Sequence, residues 1–301
     1  MKLIKTRDFL IIVCLGLVAF ILGCIFDKSV SETLFLNSGL EDAGHIISNY
    51  ALEFYFIPFI TSFFICLFGF AKCKNKLFKI AGIICAIISV GLVAKFNYDQ
   101  YKEFEFIYNE IFRLVHNIVL VSFNVIISFV IAYFYFYKHY ELNKIFRVAI
   151  SCCAFAVVTL AVQTILKYSF SRPRPFYIFG GHEDEFRNVW EANFFAAFKD
   201  KTLSSFPSGH AMCTAGVGAF FIMYATLFNN FNNDKCRLII FYIGAFIAFC
   251  TALFRITAGM HFLTDVSMGL IISYTSLYFG CNYYPNLFDK FIGFINKEKN
   301  K

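Results

Sequence analysis

"FLIIVCLGLVAFILGCIF", Phe9–Phe26, is an eighteen-residue run without a charge, preceded by Arg7 and Asp8 and followed by Asp27. A hydrocarbon layer takes roughly 20 apolar residues of helix to cross, so the run reads as a membrane span. Seven further runs of similar character follow: Ala51–Ala71, Ile80–Phe96, Ile118–Tyr137, Val148–Leu166, Met212–Phe228, Leu238–Phe254 and Val266–Gly280. The last is the weakest, and the third, with Lys95 near its end, also fits a re-entrant segment. Composition agrees with this reading. Of 301 residues, 59% are hydrophobic and 16% charged, and the mean hydropathy is +0.64. That balance excludes an ordinary soluble domain. The expected fold class is all-α, a polytopic membrane helical bundle with eight candidate spans. No linker or internal repeat divides it, so residues 1–301 are expected to form a single integral-membrane domain.

The net charge of +7 does not point to nucleic acid, because the basic residues lie between the apolar runs and not along one stripe. They set orientation instead. With the N-terminus inside, the segments around 2–7, 72–79, 138–147, 235–237 and 290–301 hold 16 of the 27 Lys and Arg, which places both termini in the cytoplasm. Of eleven cysteines, most fall within apolar runs and none in an external loop. Neither a disulfide framework nor metal-type spacing is expected.

Three stretches share one expected face of the membrane. "KYSFSRPRP", Lys167–Pro175, follows the fifth run; "PSGH", Pro207–His210, opens the sixth; "FRITAGMHFLTD", Phe254–Asp265, joins the last two. Lys167, Arg174 and Arg255 are cations beside hydrocarbon, with Arg172 a candidate fourth. Such a group calls for an anion, and guanidinium forks match phosphate oxygens. Ser208 and Gly209 sit at a helix start, where unpaired N–H groups and the positive end of the dipole favour anions. His261 and Asp265 are four residues apart. On a helix they share a face, so that Asp265 orients one imidazole nitrogen and leaves the other as a nucleophile. His210 is placed to donate a proton to a leaving oxygen. The set needs no metal or cofactor.

In this order the residues resemble the type 2 phosphatidic acid phosphatase superfamily of integral-membrane lipid phosphatases. The family pattern is Lys, six residues, Arg-Pro; then Pro-Ser-Gly-His; then Ser-Arg, five residues, His, three residues, Asp. Lys167 with Arg174–Pro175, Pro207–His210, and Arg255, His261 and Asp265 fit it; Phe254 stands where the family usually has Ser. The resemblance covers about residues 148–280. It implies that His261 attacks phosphorus, that Asp265 orients it, and that His210 protonates the leaving group. It further implies that Lys167, Arg174, Ser208, Gly209 and Arg255 hold the phosphoryl oxygens. The family core has six spans, so eight would add an N-terminal pair.

The substrate expected is a phosphorylated lipid of the undecaprenyl pyrophosphate, lipid A phosphate or phosphatidic acid type. It would be met at the outer face of a bacterial inner membrane, among membrane lipids and without nucleic acid. Two other readings stay open: a phosphotransferase that passes the phosphoryl group to a hydroxyl, and a transporter that only binds the anion. The outer segment "NVWEANFFAAFKD", 188–200, fits either an interfacial helix or a plain amphipathic loop.

Overall fold

The computed structural model describes residues 3–72, 76–101, 110–138, 142–227 and 233–283, together with 289, 293 and 297. Among these residues there are helices and turns and no strand. The α-helices are α1 (Thr6–Leu36), α2 (Glu41–Ala71), α3 (Lys76–Tyr101), α4 (Glu110–Lys138) and α5 (Leu142–Phe170), then the one-turn α6 (Pro175–Phe179), then α7 (Gly209–Ala225), α8 (Asp234–Thr257) and α9 (Leu263–Asn282). Seven of the eight apolar runs each fall within one long helix, and the sixth lies in α7 as far as Ala225 and ends at Phe228, outside the described residues, so the chain is an all-α polytopic bundle. The third run is a continuous helix of 26 residues and does not turn back. Six of the helices are long and apolar enough to cross a membrane; α7 is a shorter apolar helix, and α9 is not among the six. α9 carries Thr264, Asp265, Ser267, Ser273 and Ser276, which is why it was the weakest run in sequence.

α1 shows why the sequence folds this way. Its buried residues are Asp8, Gly16, Gly23, Asp27 and Ser31, which recur at helical spacing on one face. Its large aliphatic side chains point away; Leu15 is 62% and Ile25 67% exposed. A soluble helix has the opposite arrangement. In lipid, apolar side chains gain nothing by burial against protein, and small residues bring backbones together. α1 lies along α9 on this stripe. A Cβ on Gly16 would stand 2.9 Å from Ile271 Cγ1, and one on Gly23 2.8 Å from Thr264 Cγ2. Near the first turn of α1, Phe9 stacks on Tyr278 at 4.4 Å, and Thr6 Oγ1 lies 2.9 Å from the Tyr278 hydroxyl.

The chain divides into two compact units. The first comprises Met1–Leu52, Phe155–Ile222 and Asn233–Asn282; the second comprises Glu53–Ala154, Met223–Asn232 and Tyr283–Lys301. The second unit has its own polar fastenings inside apolar helices. Asn124 donates to Glu53, and the Ser62 and Tyr224 hydroxyls are 2.8 Å apart. The first unit contains every motif residue. Within it the C-terminal ends of α1, α5 and α8 meet the N-terminal ends of α2, α7 and α9, so the three motif stretches converge at one end.

The long segment between α6 and α7 is irregular. Residues 188–200 form no α-helix; only a 3₁₀ turn at Ala196–Phe198 interrupts them. Trp190, Phe194, Phe195 and Phe198 are exposed there, and Phe198 lies flat on Tyr168 with ring centroids 3.8 Å apart. Asn193 and Phe195 donate their N–H groups to the carbonyls of Phe170 and Tyr168, which ties the segment to the end of α5 and draws it out of a helix.

Candidate active site

The turn between α8 and α9 carries His261. α8 ends at Thr257, and Gly259 takes φ +66°, a left-handed conformation that glycine adopts without strain. Its carbonyl accepts from Phe176 N at 2.7 Å, joining this turn to α6. α9 then begins at Leu263, with Asp265 Oδ2 accepting from Phe262 N at 2.8 Å. That is the reciprocal half of a capping arrangement, in which a side chain in the first turn returns to the N–H before the helix. His261 therefore stands just outside α9 and not on a helical face with Asp265.

His261 is buried, and its Nδ1 lies 2.7 Å from the Ser205 carbonyl oxygen. A carbonyl only accepts, so Nδ1 carries the hydrogen and Nε2 holds the lone pair. Among the described residues Nε2 has no hydrogen-bond partner. Burial, then the charges of Arg255, Arg174 and Lys167, hold the imidazole well below its usual titration range, because each disfavours the cation. The result is a neutral imidazole with one bare nitrogen among three cations. It can attack an electrophile that those cations attract.

The expectation that Asp265 accepts directly from this imidazole meets a different geometry. His261 Nδ1 and Asp265 Oδ2 are 4.0 Å apart, too far for a hydrogen bond. Asp265 instead accepts from Ser205 Oγ at 2.6 Å and from Arg172 Nη1 at 2.9 Å. Ser205 thus stands between the two, its hydroxyl on the carboxylate and its carbonyl on the imidazole. Asp265 and His261 share Ser205 as a partner without touching each other.

Arg172, the candidate fourth cation, is fully engaged by protein. It is 2% exposed. Its Nε donates to the Arg187 carbonyl at 2.9 Å, Nη1 to Thr264 Oγ1 at 2.6 Å, and Nη2 to Asp27 Oδ2 at 2.9 Å. The guanidinium lies 4.2 Å from the centre of the Phe262 ring. Asp27 completes the cluster by accepting from Thr264 N at 3.0 Å and from the Thr264 hydroxyl. Arg172 is a strut that ties α1, the outer segment and the start of α9 together.

The other cations differ. Arg174, two residues on, is half-buried and has softer contacts, with Nη2 3.3 Å from Ser204 Oγ and Nη1 3.4 Å from Met260 Sδ. Lys167 lies in the last turn of α5. Arg255 is buried in the last turn of α8, and its Nη1 is 3.4 Å from both Ser48 Oγ and Asn49 Oδ1.

The "PSGH" stretch forms the start of α7. Ser208 N donates to the Asp265 carbonyl at 3.0 Å, which clamps this start to α9, and Ser208 Oγ accepts from Ala211 N at 3.4 Å. The close approach requires Gly269, where a Cβ would meet Ser208 O at 2.7 Å. At Gly209 a Cβ would meet Gln163 Nε2 at 2.3 Å. His210, buried, places Nε2 2.8 Å from Asn49 Oδ1.

The structure therefore brings Lys167, Arg174, Ser208, Gly209, His210, Arg255, His261 and Asp265 to one end of one unit. The sequence reading did not single out Asp27, Ser48, Asn49, Gln163 or Ser205. A signal existed for three of them: Asp27, Asn49 and Gln163 are strongly polar residues inside or beside apolar runs, where such groups are costly and need a reason. Ser205 carried no signal beyond standing two residues before Pro207. Residues 147–289 match the family model described as PAP2 superfamily. No curated protein and no solved structure matches the chain.

Proposed function

We propose that this chain, which belongs to the PAP2 superfamily through residues 147–289, hydrolyses a lipid phosphate or pyrophosphate through a phosphohistidine on His261. Family membership supports phosphatase chemistry on phosphate esters, and the apolar helices make the protein a membrane protein, so a lipid ester is the natural substrate. The observation that carries the reading is the His261 ring, with its proton fixed on Nδ1 by the Ser205 carbonyl and a bare Nε2 in the field of Lys167, Arg174 and Arg255.

The chemistry follows from those groups. The three cations gather the phosphoryl oxygens and neutralise the charge that spreads over them as the bond to the leaving oxygen lengthens. Nε2 forms a bond to phosphorus, and the phosphorus–oxygen bond to the lipid breaks. His210 gives a proton to the departing oxygen, since an alkoxide is a poor leaving group without one. Water then attacks phosphorus and returns a proton to His210, the phosphorus–nitrogen bond breaks, and inorganic phosphate leaves. The site lies outside the cytoplasmic face if the Lys/Arg asymmetry sets the orientation. Undecaprenyl pyrophosphate and lipid A phosphate are then the leading substrates, with phosphatidic acid and phosphatidylglycerol phosphate behind them. The setting would be a bacterial inner membrane.

The test is to trap the intermediate. Purified protein is mixed briefly with ³²P-labelled phosphatidic acid or undecaprenyl pyrophosphate and quenched in alkali. Base-stable, acid-labile label on the wild-type chain and none on His261→Ala is the expected result. Steady phosphate release by His261→Ala would overturn it.

A further inference from the structure

Asn49 lies outside the family-matched segment, in α2, yet it touches both His210 and Arg255. The side-chain amide can be oriented from these contacts alone. The same Asn49 atom faces His210 Nε2 at 2.8 Å and Arg255 Nη1 at 3.4 Å. A guanidinium only donates, so that atom is the oxygen. It follows that His210 Nε2 is a donor and carries a proton. It also follows that the amide nitrogen, Asn49 Nδ2, is directed elsewhere. Nδ2 is buried, on a residue 3% exposed, and has no acceptor among the described residues. A buried amide donor without an acceptor is costly, and a protein tolerates it where a ligand supplies the acceptor.

We infer that Asn49 is a substrate-binding residue: its Nδ2–H donates to an oxygen of the bound phosphoryl group or of the ester oxygen attached to it. Its Oδ1 meanwhile holds the His210 proton and the Arg255 fork in place. The inference rests on the proposed phosphatase reading, which supplies the anion. It deepens that reading by adding a neutral side-chain donor from α2 to the three cations. The chemistry is suited to the task. A fourth cation would tighten ground state and product alike, whereas an amide adds direction without charge. Asn49 Oδ1 touches the two groups that act at opposite ends of the breaking bond, Arg255 and His210, and Nδ2 is the neighbouring atom of the same amide. The first two helices thus give the site a ligand-binding group of their own.

The test separates the nitrogen from the oxygen. Loss of Oδ1 loosens His210 and shows in kcat on a lipid monophosphate, whose leaving oxygen needs the proton. Loss of Nδ2 shows in the affinity for orthovanadate and inorganic phosphate, which have no leaving group. Asn49→Ala is expected to weaken vanadate binding about tenfold, about 1.4 kcal/mol, measured both as inhibition and as thermal stabilisation of the protein in detergent. Ser48→Ala, which removes another Arg255 contact, measures how much of that loss comes from Arg255 alignment alone. The Asn49→Ala loss must exceed it severalfold. Asn49→Ser, smaller but still a donor, should recover part of the affinity and serves if the alanine variant fails to fold. Unchanged vanadate affinity in Asn49→Ala and Asn49→Ser, with kcat alone reduced, overturns the inference and leaves the phosphatase reading standing. Vanadate binding that depends on Asn49 in a wild-type protein releasing no phosphate from any lipid refutes the phosphatase reading and upholds the inference. A wild-type protein that binds no vanadate refutes both.

Discussion

Replacing Arg172 by Met tests the division of labour between two arginines that look alike in "RPRP". Arg172→Met keeps a long apolar stem against Phe262 and removes the guanidinium. Two carboxylates, Asp27 and Asp265, then remain in a space where neither is more than 4% exposed, with their shared cation gone. Removing one partner of a buried ion pair costs about 3–5 kcal/mol. Here one cation serves both acids, and the Arg187 carbonyl and Thr264 hydroxyl lose a donor as well, so the upper end of that range applies. The melting temperature in detergent should fall by on the order of 10 °C, read as the fraction still monodisperse after stepwise heating. The neighbouring charge supplies an internal check. Adding Asp27→Asn to Arg172→Met removes one of the two facing carboxylates and should recover roughly 1–3 kcal/mol, a coupling that a double-mutant cycle isolates. Arg174→Met should behave in the opposite way, losing vanadate affinity tenfold or more while melting close to wild type. An Arg172→Met protein that melts within about 2 °C of wild type but binds vanadate poorly would refute this reasoning and make Arg172 a phosphate ligand.

The pH dependence should follow His261: its depressed value keeps the nucleophile neutral as pH falls, so the acid limb of kcat/KM should lie below the ordinary histidine value of about 6.5. By the same shift, the stability His261 contributes is present above about 6.5, where neither state takes up a proton. It is lost as pH falls from there through the lower folded value, which thermal melts across pH 4–8 can read. Ser205→Ala leaves the carbonyl that holds His261 and removes only the hydroxyl on Asp265, so it should cost about tenfold or less in kcat; Asp265→Asn should cost roughly 10²–10⁴-fold and also lower the melting temperature. Gly269→Ala forces a Cβ toward Ser208 O and should cost about 1–3 kcal/mol of stability together with activity, measured on the same preparation. For sidedness, cysteines placed at Asp184 and Lys235, in a background free of the native thiols, should label oppositely with an impermeant reagent in intact cells, Asp184→Cys reacting and Lys235→Cys protected.

The helices were legible because hydrocarbon demands long apolar runs, and every run became a helix. Which face of each helix is buried was not legible from hydrophobicity, since lipid inverts the usual rule. In α1 it is Gly16, Gly23 and Asp27 that face protein, and only the spacing of small and polar residues carries that information. The motif residues were legible because a cation cluster, a helix start and a histidine are each chemically unusual beside a membrane. The partners within the site were harder. A spacing of four residues suggested that Asp265 and His261 share a helical face, but the chain leaves α8 through the left-handed Gly259 and enters α9 only at Leu263. Asp265 is spent on the Phe262 N–H, Ser205 and Arg172, and a backbone carbonyl, which no sequence pattern records, takes the imidazole. Likewise nothing in "RPRP" distinguishes a strut from a ligand. That difference is made by Asp27, 145 positions away.

These long-range partners bear on what the first two helices are for. The family match begins at residue 147, and every motif residue lies within it, so α1 and α2 resemble an addition to a finished core. The hydrogen bonds say otherwise. Asp27 on α1 supplies the second carboxylate of Arg172 and accepts from the Thr264 N–H in the first turn of α9, the helix that carries Asp265. Ser48 and Asn49 on α2 both accept from Arg255 Nη1, and Asn49 also accepts from His210 Nε2. Removing α1 and α2 would leave a buried arginine with one acid where it now has two, an imidazole proton without its acceptor, and the Thr264 N–H without the carboxylate that caps it. Each such group costs about 1–3 kcal/mol when buried and unpaired, and a folded chain has only about 5–15 kcal/mol in hand. The matched segment therefore holds the motif residues, and the first two helices supply hydrogen-bond partners that fix them in place.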